Sequence, residues 1–287
     1  MARQRRRRSG WGRRLLIFLV LCGLGFLFFQ WSNHSLQTER FTFRSERLPE
    51  AFDGFVMVQL SDLHGAYFGE ENEELIEKVK AEAPNVILLT GDLQDRYRET
   101  PQSYAVELGR AMAEIAPTYY VTGNHEWAFP DVPGLKRKLA DAGVVVLSNE
   151  YVVLERGGEA LVLAGIDDPN GFADQKTPEE LAAEVHGAFG DPFWLLLAHR
   201  NNYFEKEYSY LGADLVISGH GHGGLVRLPF TDGLLSVERT LFPSYTAGFY
   251  SANGGQVFVS RGLGNSGPSF RLFNRPEIVV LTLEKES

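Results

Sequence analysis

Asn85-Val86-Ile87-Leu88-Leu89-Thr90-Gly91-Asp92 decides how this chain is read: an apolar run of strand length, then a glycine, then a carboxylate. The run predicts a strand, and the glycine lets the chain turn sharply and present Asp92 at the strand's end. On its N-terminal side lie a strand over Phe55–Leu60 and a helix over Glu70–Ala83. On its C-terminal side come a helix over Pro101–Ile115 and a strand over Thr118–Thr122, so the first half is βαβ material. Pro101 at a helix start, with Gly91 and Gly123 just past apolar runs, puts the polar residues into the loops that follow the strands.

The second half opens with a helix over Val132–Ala142 and strands over Val144–Leu147, Tyr151–Leu154 and Leu161–Ile166. A helix over Thr177–Phe189 with Thr177 as N-cap, a buried strand over Pro192–Ala198, a helix over Asn201–Leu211 and a strand over Asp214–Ser218 follow. Beyond His222 the pattern turns to glycine-rich loops and short strands at Tyr245–Ser251, Gln256–Ser260 and Glu277–Leu283. The expected fold class is α/β: two mixed sheets packed face to face, helices outside, and a site along their shared rim.

Charge is distributed unevenly over the 287 residues. Residues 1–14 carry seven arginines and no acid, which leaves 21 basic against 37 acidic residues, a net of about −16, in the rest of the chain. Such a body is unsuited to wrapping nucleic acid, and no nucleic-acid binding is expected. The basic head, 1–14, runs into a segment at 15–31 that is apolar or glycine from Leu15 to Phe29 and ends at Gln30-Trp31. As a helix that segment spans roughly 25 Å, enough for a thin hydrocarbon core, with Trp11 and Trp31 as interfacial anchors. The reading is a single-pass membrane anchor, with the head cytoplasmic and the acidic domain outside by the positive-inside rule. A cleaved signal peptide is the competitor, but no small-x-small cleavage site follows; Arg13-Arg14 also resembles a twin-arginine export signal. Residues 32–50 read as a linker and first strand, and 51–287 as the main domain. The single cysteine, Cys22, lies inside the apolar segment, so no intrachain disulfide exists.

Five of the seven histidines fall just past strand-like runs, in the segments Asp62-Leu63-His64, Asn124-His125, His199 and His220-Gly221-His222. In an extended chain residues i and i+2 point to one side, so Asp62 with His64, and His220 with His222, can reach one metal each while Leu63 faces the core. Asp92 offers a carboxylate able to bridge two cations roughly 3.5–4 Å apart. Asn124 offers a neutral carbonyl oxygen, and His125 a proton donor. Each segment alone is an ordinary turn, and His199 alone an ordinary buried histidine; independent turns have no reason to place His, Asp and Asn at five successive strand ends. Two carboxylates facing two divalent cations leave an electrophilic site that attracts phosphate. A donor set without thiolate favours Mn²⁺, Fe or Zn²⁺ over Ca²⁺ or Mg²⁺.

These blocks, in this order, resemble the calcineurin-like metallophosphoesterases, whose pattern is D-x-H, G-D, G-N-H-E, H and G-H-x-H. The tail, Ser260 to Ser266 with Phe273-Asn274-Arg275-Pro276-Glu277, looks like the membrane-anchored or exported bacterial subgroup. The resemblance implies a four-layer αββα sandwich and a dinuclear site, with Asp62, His64 and His222 on one metal, Asn124, His199 and His220 on the other, and Asp92 between them. It gives His125 the role of protonating the leaving group, and to Asp95 and Arg96 that of orienting the histidine or touching phosphate. The implied function is phosphodiester or phosphomonoester hydrolysis, with a lipid or envelope phosphoester as partner. A nucleotide phosphodiesterase and a non-catalytic metal-binding envelope protein are the alternatives. One departure is His199-Arg200-Asn201-Asn202, where many relatives carry proline soon after the histidine.

Overall fold

The apolar segment forms one unbroken helix, α1 (Trp11–His34), nearly all of it exposed except Ser32 and Asn33 at its end. The structure is a computed structural model and describes residues 11–228, 232–236, 240–266 and 270–286. Arg3–Arg8 of the basic head lie outside the described residues. The helix is longer than the 15–31 segment, at about 36 Å. Only Ser35 and Leu36 separate it from the first strand, so most of the stretch read as linker is regular structure.

The strands are β1 (Gln37–Ser45), β2 (Phe55–Leu60), β3 (Val86–Thr90), β4 (Thr118–Val121), β5 (Val145–Val146), β6 (Glu150–Arg156) and β7 (Glu159–Ile166). They continue as β8 (Trp194–Arg200), β9 (Leu215–Gly219), β10 (Val226–Arg227), β11 (Gly233–Leu235), β12 (Gly248–Ala252), β13 (Gly255–Val259) and β14 (Glu277–Lys285). The remaining helices are α2 (Glu73–Ala81), α3 (Gln102–Ala113), α4 (Val132–Asp141) and α5 (Pro178–Phe189). One six-stranded sheet has the order β1-β14-β2-β3-β4-β5, the other β12-β13-β9-β8-β7-β6, and β10 pairs with β11 in a small ribbon.

Alternation along the central strands builds three cores. Leu88, Val121, Leu195, Leu197 and Ile217 fill the space between the two sheets. Ile87 and Leu89 point the other way, onto Leu75, Leu108 and Leu135 of α2, α3 and α4. On the far side Trp194, Leu196 and Val216 pack against Leu181 and Val185 of α5. The layers are therefore α, β, β, α. Because β3 is covered on both faces, all five of its residues are buried and its sequence shows no alternation.

Two expected helices differ. Glu70–Ala83 begins regularly only at Glu73, since Glu71 and Asn72 take left-handed backbone angles. The expected helix Asn201–Leu211 is two 3-10 turns, Asn201–Tyr203 and Tyr208–Tyr210, separated by a turn. Its apolar residues Phe204, Tyr208 and Leu211 are buried against the second sheet, so tertiary packing set their spacing rather than a helical repeat. Thr177 caps α5 as expected, in a reciprocal capping box with Glu180.

A core truncation should outweigh loss of a cap. Chemical denaturation of the full chain in detergent is expected to show Leu88→Ala, fully buried between the sheets, losing about 2–5 kcal/mol, against about 1 kcal/mol for Thr177→Ala.

Candidate metal centre

The expected ligand residues collect where β2, β3, β4, β8 and β9 end or bend, on one rim of the sandwich. The local geometry differs from an extended chain. Asp62 (φ 53°) and His64 (φ 49°) lie past the end of β2 in the left-handed region, as do Asp92 (φ 53°), His220 (φ 66°) and His222 (φ 49°). Left-handed corners, rather than the two-residue pleat, turn each D-x-H or H-x-H pair inward. Leu63 between them is fully buried in the core, as expected. His199 sits within β8, not beyond it, where the pairing with β9 shifts register between Leu197 and Arg200. That irregularity re-aims the histidine toward the rim.

Backbone donors fix the acids. Asp62 accepts from Ser61 Oγ at 2.6 Å and from the His220 N–H at 3.0 Å; Asp92 Oδ1 accepts from the His125 N–H at 2.8 Å. His199 Nδ1 lies 2.8 Å from the Thr90 carbonyl, which holds a proton on Nδ1 and aims Nε2 at Asp92 Oδ2, 3.3 Å away. Gly123 is required at the crossing, since a Cβ there would stand 2.2 Å from Asp92 Oδ1.

Two donor groups result. Asp62, His64 and His222 form one, and Asp92, His199 and His220 the other, each with its ligand atoms within 4.8 Å of one another. Nε2 of His64 and of His222 stand 3.0 Å apart, while Asp92 Oδ2 lies 3.7 Å from His64 Nε2 and thus faces both groups. Asn124 follows β4 on the same rim, and its Oδ1 is buried without a hydrogen-bond partner. The donors fit divalent cations: nitrogen and oxygen lone pairs converge in a desolvated space lined by acids. Charges already present pull the imidazoles apart. Burial dominates His64 and brings it down to about 3, whereas at His199 burial is overridden by Asp92 and Asp62 and the ring is pushed up to about 10.

His64, Asp95 and His125 form a third cluster, which reads as an oriented histidine beside the first donor group rather than a third cation site. His125 Nδ1 faces both Asp95 Oδ1 and the Arg96 backbone N–H, each at 3.2 Å. A proton on Nδ1 pairs with Asp95, and a bare Nδ1 accepts from Arg96, so the site accommodates either form. Asp95 is locked in turn by accepting the Tyr97 N–H. The Arg96 side chain is not drawn into the ligand cluster; its guanidinium lies over the Tyr97 ring at 4.7 Å, and that ring stands 5.8 Å from His125.

Several buried partners escaped the sequence reading. Glu126, expected at most to cap the next segment, accepts the backbone N–H groups of Asp92, Gln94 and Gly123 and so ties the two ligand loops together; burial, with Asp92 nearby, pushes it up to about 7. Asp168 pairs with Arg200 at 2.7 Å, next to His199 of the second donor group. Asp167 and Asp168 follow the apolar Leu161–Ile166 just as Asp92 follows its own strand, a signal that was available. Arg271, fully buried, donates to the Gly264 carbonyl at 2.7 Å, and the Gly264 N–H donates to the Asp62 carbonyl at 2.7 Å.

A family model described as calcineurin-like phosphoesterase matches residues 55–224. The chain is 30% identical over 261 residues to the metallophosphoesterase YkuE of Bacillus subtilis, covering 88% of this chain and 86% of that protein. It is also 30% identical to a metallophosphoesterase of Aquifex aeolicus, covering 88% and 93%. A Danio rerio transmembrane protein with metallophosphoesterase domain is 28% identical over 84% of this chain, which spans 55% of that relative. Among solved structures, the sulfate thiohydrolase SoxB of Thermus thermophilus superposes with a TM-score of 0.50 at 14% identity, covering 83% of this chain and 57% of that one; the likeness is of fold.

Crowding at Gly123 gives a direct check. Gly123→Ala should lose most bound metal by elemental analysis, whereas Gly187→Ala, on α5 with open space around its Cα, should keep the parent's content.

Proposed function

Because the chain belongs to the calcineurin-like phosphoesterase family, hydrolases of phosphoester bonds that use a dinuclear divalent metal site, we propose that it cleaves a lipid or cell-envelope phosphoester at this rim. In this reading Asp62, His64 and His222 would hold one cation and Asn124, His199 and His220 the other, with the Asp92 carboxylate available to both. The observation that carries it is the position of Asp92 Oδ2, 3.3 Å from His199 Nε2 and 3.7 Å from His64 Nε2, facing both donor groups at once. The donor set suits Mn²⁺, Fe or Zn²⁺. Bound there, such ions supply Lewis acidity that polarises the phosphoryl group and activates water.

The chain's own residues do the rest. His125 delivers a proton from Nε2 to the departing oxygen, and Asp95, 3.2 Å from Nδ1, holds the ring in place. Arg96 acts through its backbone N–H on the same ring. Glu126 and the Thr90 carbonyl fix the loops and the tautomer of His199, so that the ligands do not reorganise when charge develops. The exposed apolar helix α1 anchors the domain, with the arginine head cytoplasmic and the site outside by the positive-inside rule. That placement favours envelope phosphoesters over cytoplasmic ones.

Metal-loaded full-length protein should hydrolyse bis-p-nitrophenyl phosphate. Asp92→Ala is expected to lower both metal content and turnover by at least about a hundredfold. His125→Ala should keep the metal and lose about 10²–10⁴ in kcat, which separates proton delivery from metal holding. No turnover by the parent with Mn²⁺, Fe²⁺ or Zn²⁺ overturns the reading.

A further inference from the structure

The last turns of α1 are not free of the domain. Asn33 bonds the Arg271 peptide on both sides, donating to its carbonyl at 2.9 Å and accepting its N–H at 2.7 Å. Arg275 donates to the carbonyls of Ser35 and Leu36 just past the helix end and lies 4.8 Å over the Trp31 ring. Phe273 packs on Phe28 with ring centres 4.8 Å apart, and Phe270 faces Phe29 at 6.4 Å. Trp11 and Trp31 bracket the helix as interfacial aromatics about 30 Å apart. Phe28 and Phe29 lie about 3–4.5 Å on the bilayer side of Trp31, so the phenylalanines that touch them are drawn below the interface plane.

From there an apolar strip runs toward the site. Leu272 bridges to Val226 of β10, β10 pairs with β11, and Leu235 of β11 bridges to Leu241. Along it Leu228, Phe270 and Phe273 are exposed, and Leu241 and Phe242 stand out at 64% and 76% exposure. Singly exposed apolar residues are ordinary; a row of five that begins on a membrane helix is not. The acid among its described residues, Asp232, lies 3.9 Å from Arg227. Ser236, Thr240 and Tyr245, which flank Leu241 and Phe242 in the chain, line a cleft together with Asn201, His220 and Gly221.

We propose that this strip is immersed in the bilayer leaflet that receives the end of α1, and that lipid phosphoesters pass from that leaflet along it into the His220 cleft. The occupant is lipid because the strip begins at Phe270 and Phe273, which lie against Phe29 and Phe28 of the apolar helix, and is linked from there by strand pairing to Leu241. This deepens the hydrolase reading and rests on it only for the substrate's fate, since immersion itself needs no turnover.

In a Cys22→Ser background, a bimane label at Phe242→Cys in phosphatidylcholine/phosphatidylglycerol vesicles carrying brominated acyl chains should be quenched at least about threefold more than one at Glu155→Cys, on the opposite edge strand β6. Equal quenching at the two positions overturns immersion. Phosphatidic acid in phosphatidylcholine vesicles should inhibit parent turnover of bis-p-nitrophenyl phosphate, and L241D/F242D, with unchanged turnover of that soluble diester, should require about tenfold more lipid. No inhibition of the parent, or equal inhibition of the variant, overturns lipid entry. A parent inert toward the soluble diester fails the hydrolase reading and leaves the quenching result to decide immersion.

Discussion

Two carboxylates and a set of imidazoles crowd one buried space at the rim of the sandwich, and their mutual incompatibility governs the architecture around them. Burial disfavours every charge there, yet Asp92 is held well below the usual carboxylate range while His199 is raised and His64 and His222 are lowered. Such a cluster does not assemble for its own sake. It must be imposed by strands that are stable for other reasons, which is the role of the three cores flanking and separating the sheets. The left-handed corners at Asp62, His64, Asp92, His220 and His222 each cost of order 1–3 kcal/mol and persist only because the strands on either side determine them.

The apolar helix α1 and the candidate metal centre are joined by a short path. Asn33 at the end of α1 holds the Arg271 peptide, the Arg271 guanidinium holds Gly264, and Gly264 holds the Asp62 main chain. Each link is buried and hydrogen-bonded, so the helix is a fixed extension of the domain rather than a tether. The orientation of the rim relative to α1 follows from these contacts and from the two-residue connection to β1.

Much of this was legible in the chain because the signals are local. An apolar run, a glycine and a ligand-type residue identify a strand end wherever they occur, and β2, β3, β4 and β9 lie within a residue of their expected bounds. The αββα layering agrees with the resemblance and with the strand–helix alternation. What could not be read was what distant residues impose. The segment Asn201–Leu211 has helical spacing, but its apolar residues serve the second sheet in two short turns. Position 199 looked like a strand end because a register shift leaves no mark in one sequence. Glu126 looked like a cap because the three N–H groups it serves come from another loop as well as its own. The pairing of Arg200 with Asp168 depends on β7 and β8 being neighbours, which periodicity does not state.

The order of the first sheet has a consequence for how the molecule comes into being. β14, made after the other strands of its sheet, lies between β1 and β2, the first two, parallel to one and antiparallel to the other. Until β14 has emerged, β1 has no neighbour in the sheet and β2 has an open edge, although α1 emerged long before. Completion of this sheet thus waits on a strand made long after its other members. The first sheet is therefore closed by pairing across 240 residues of sequence, from Gln37 to Glu277, a non-local contact of the slow-forming kind.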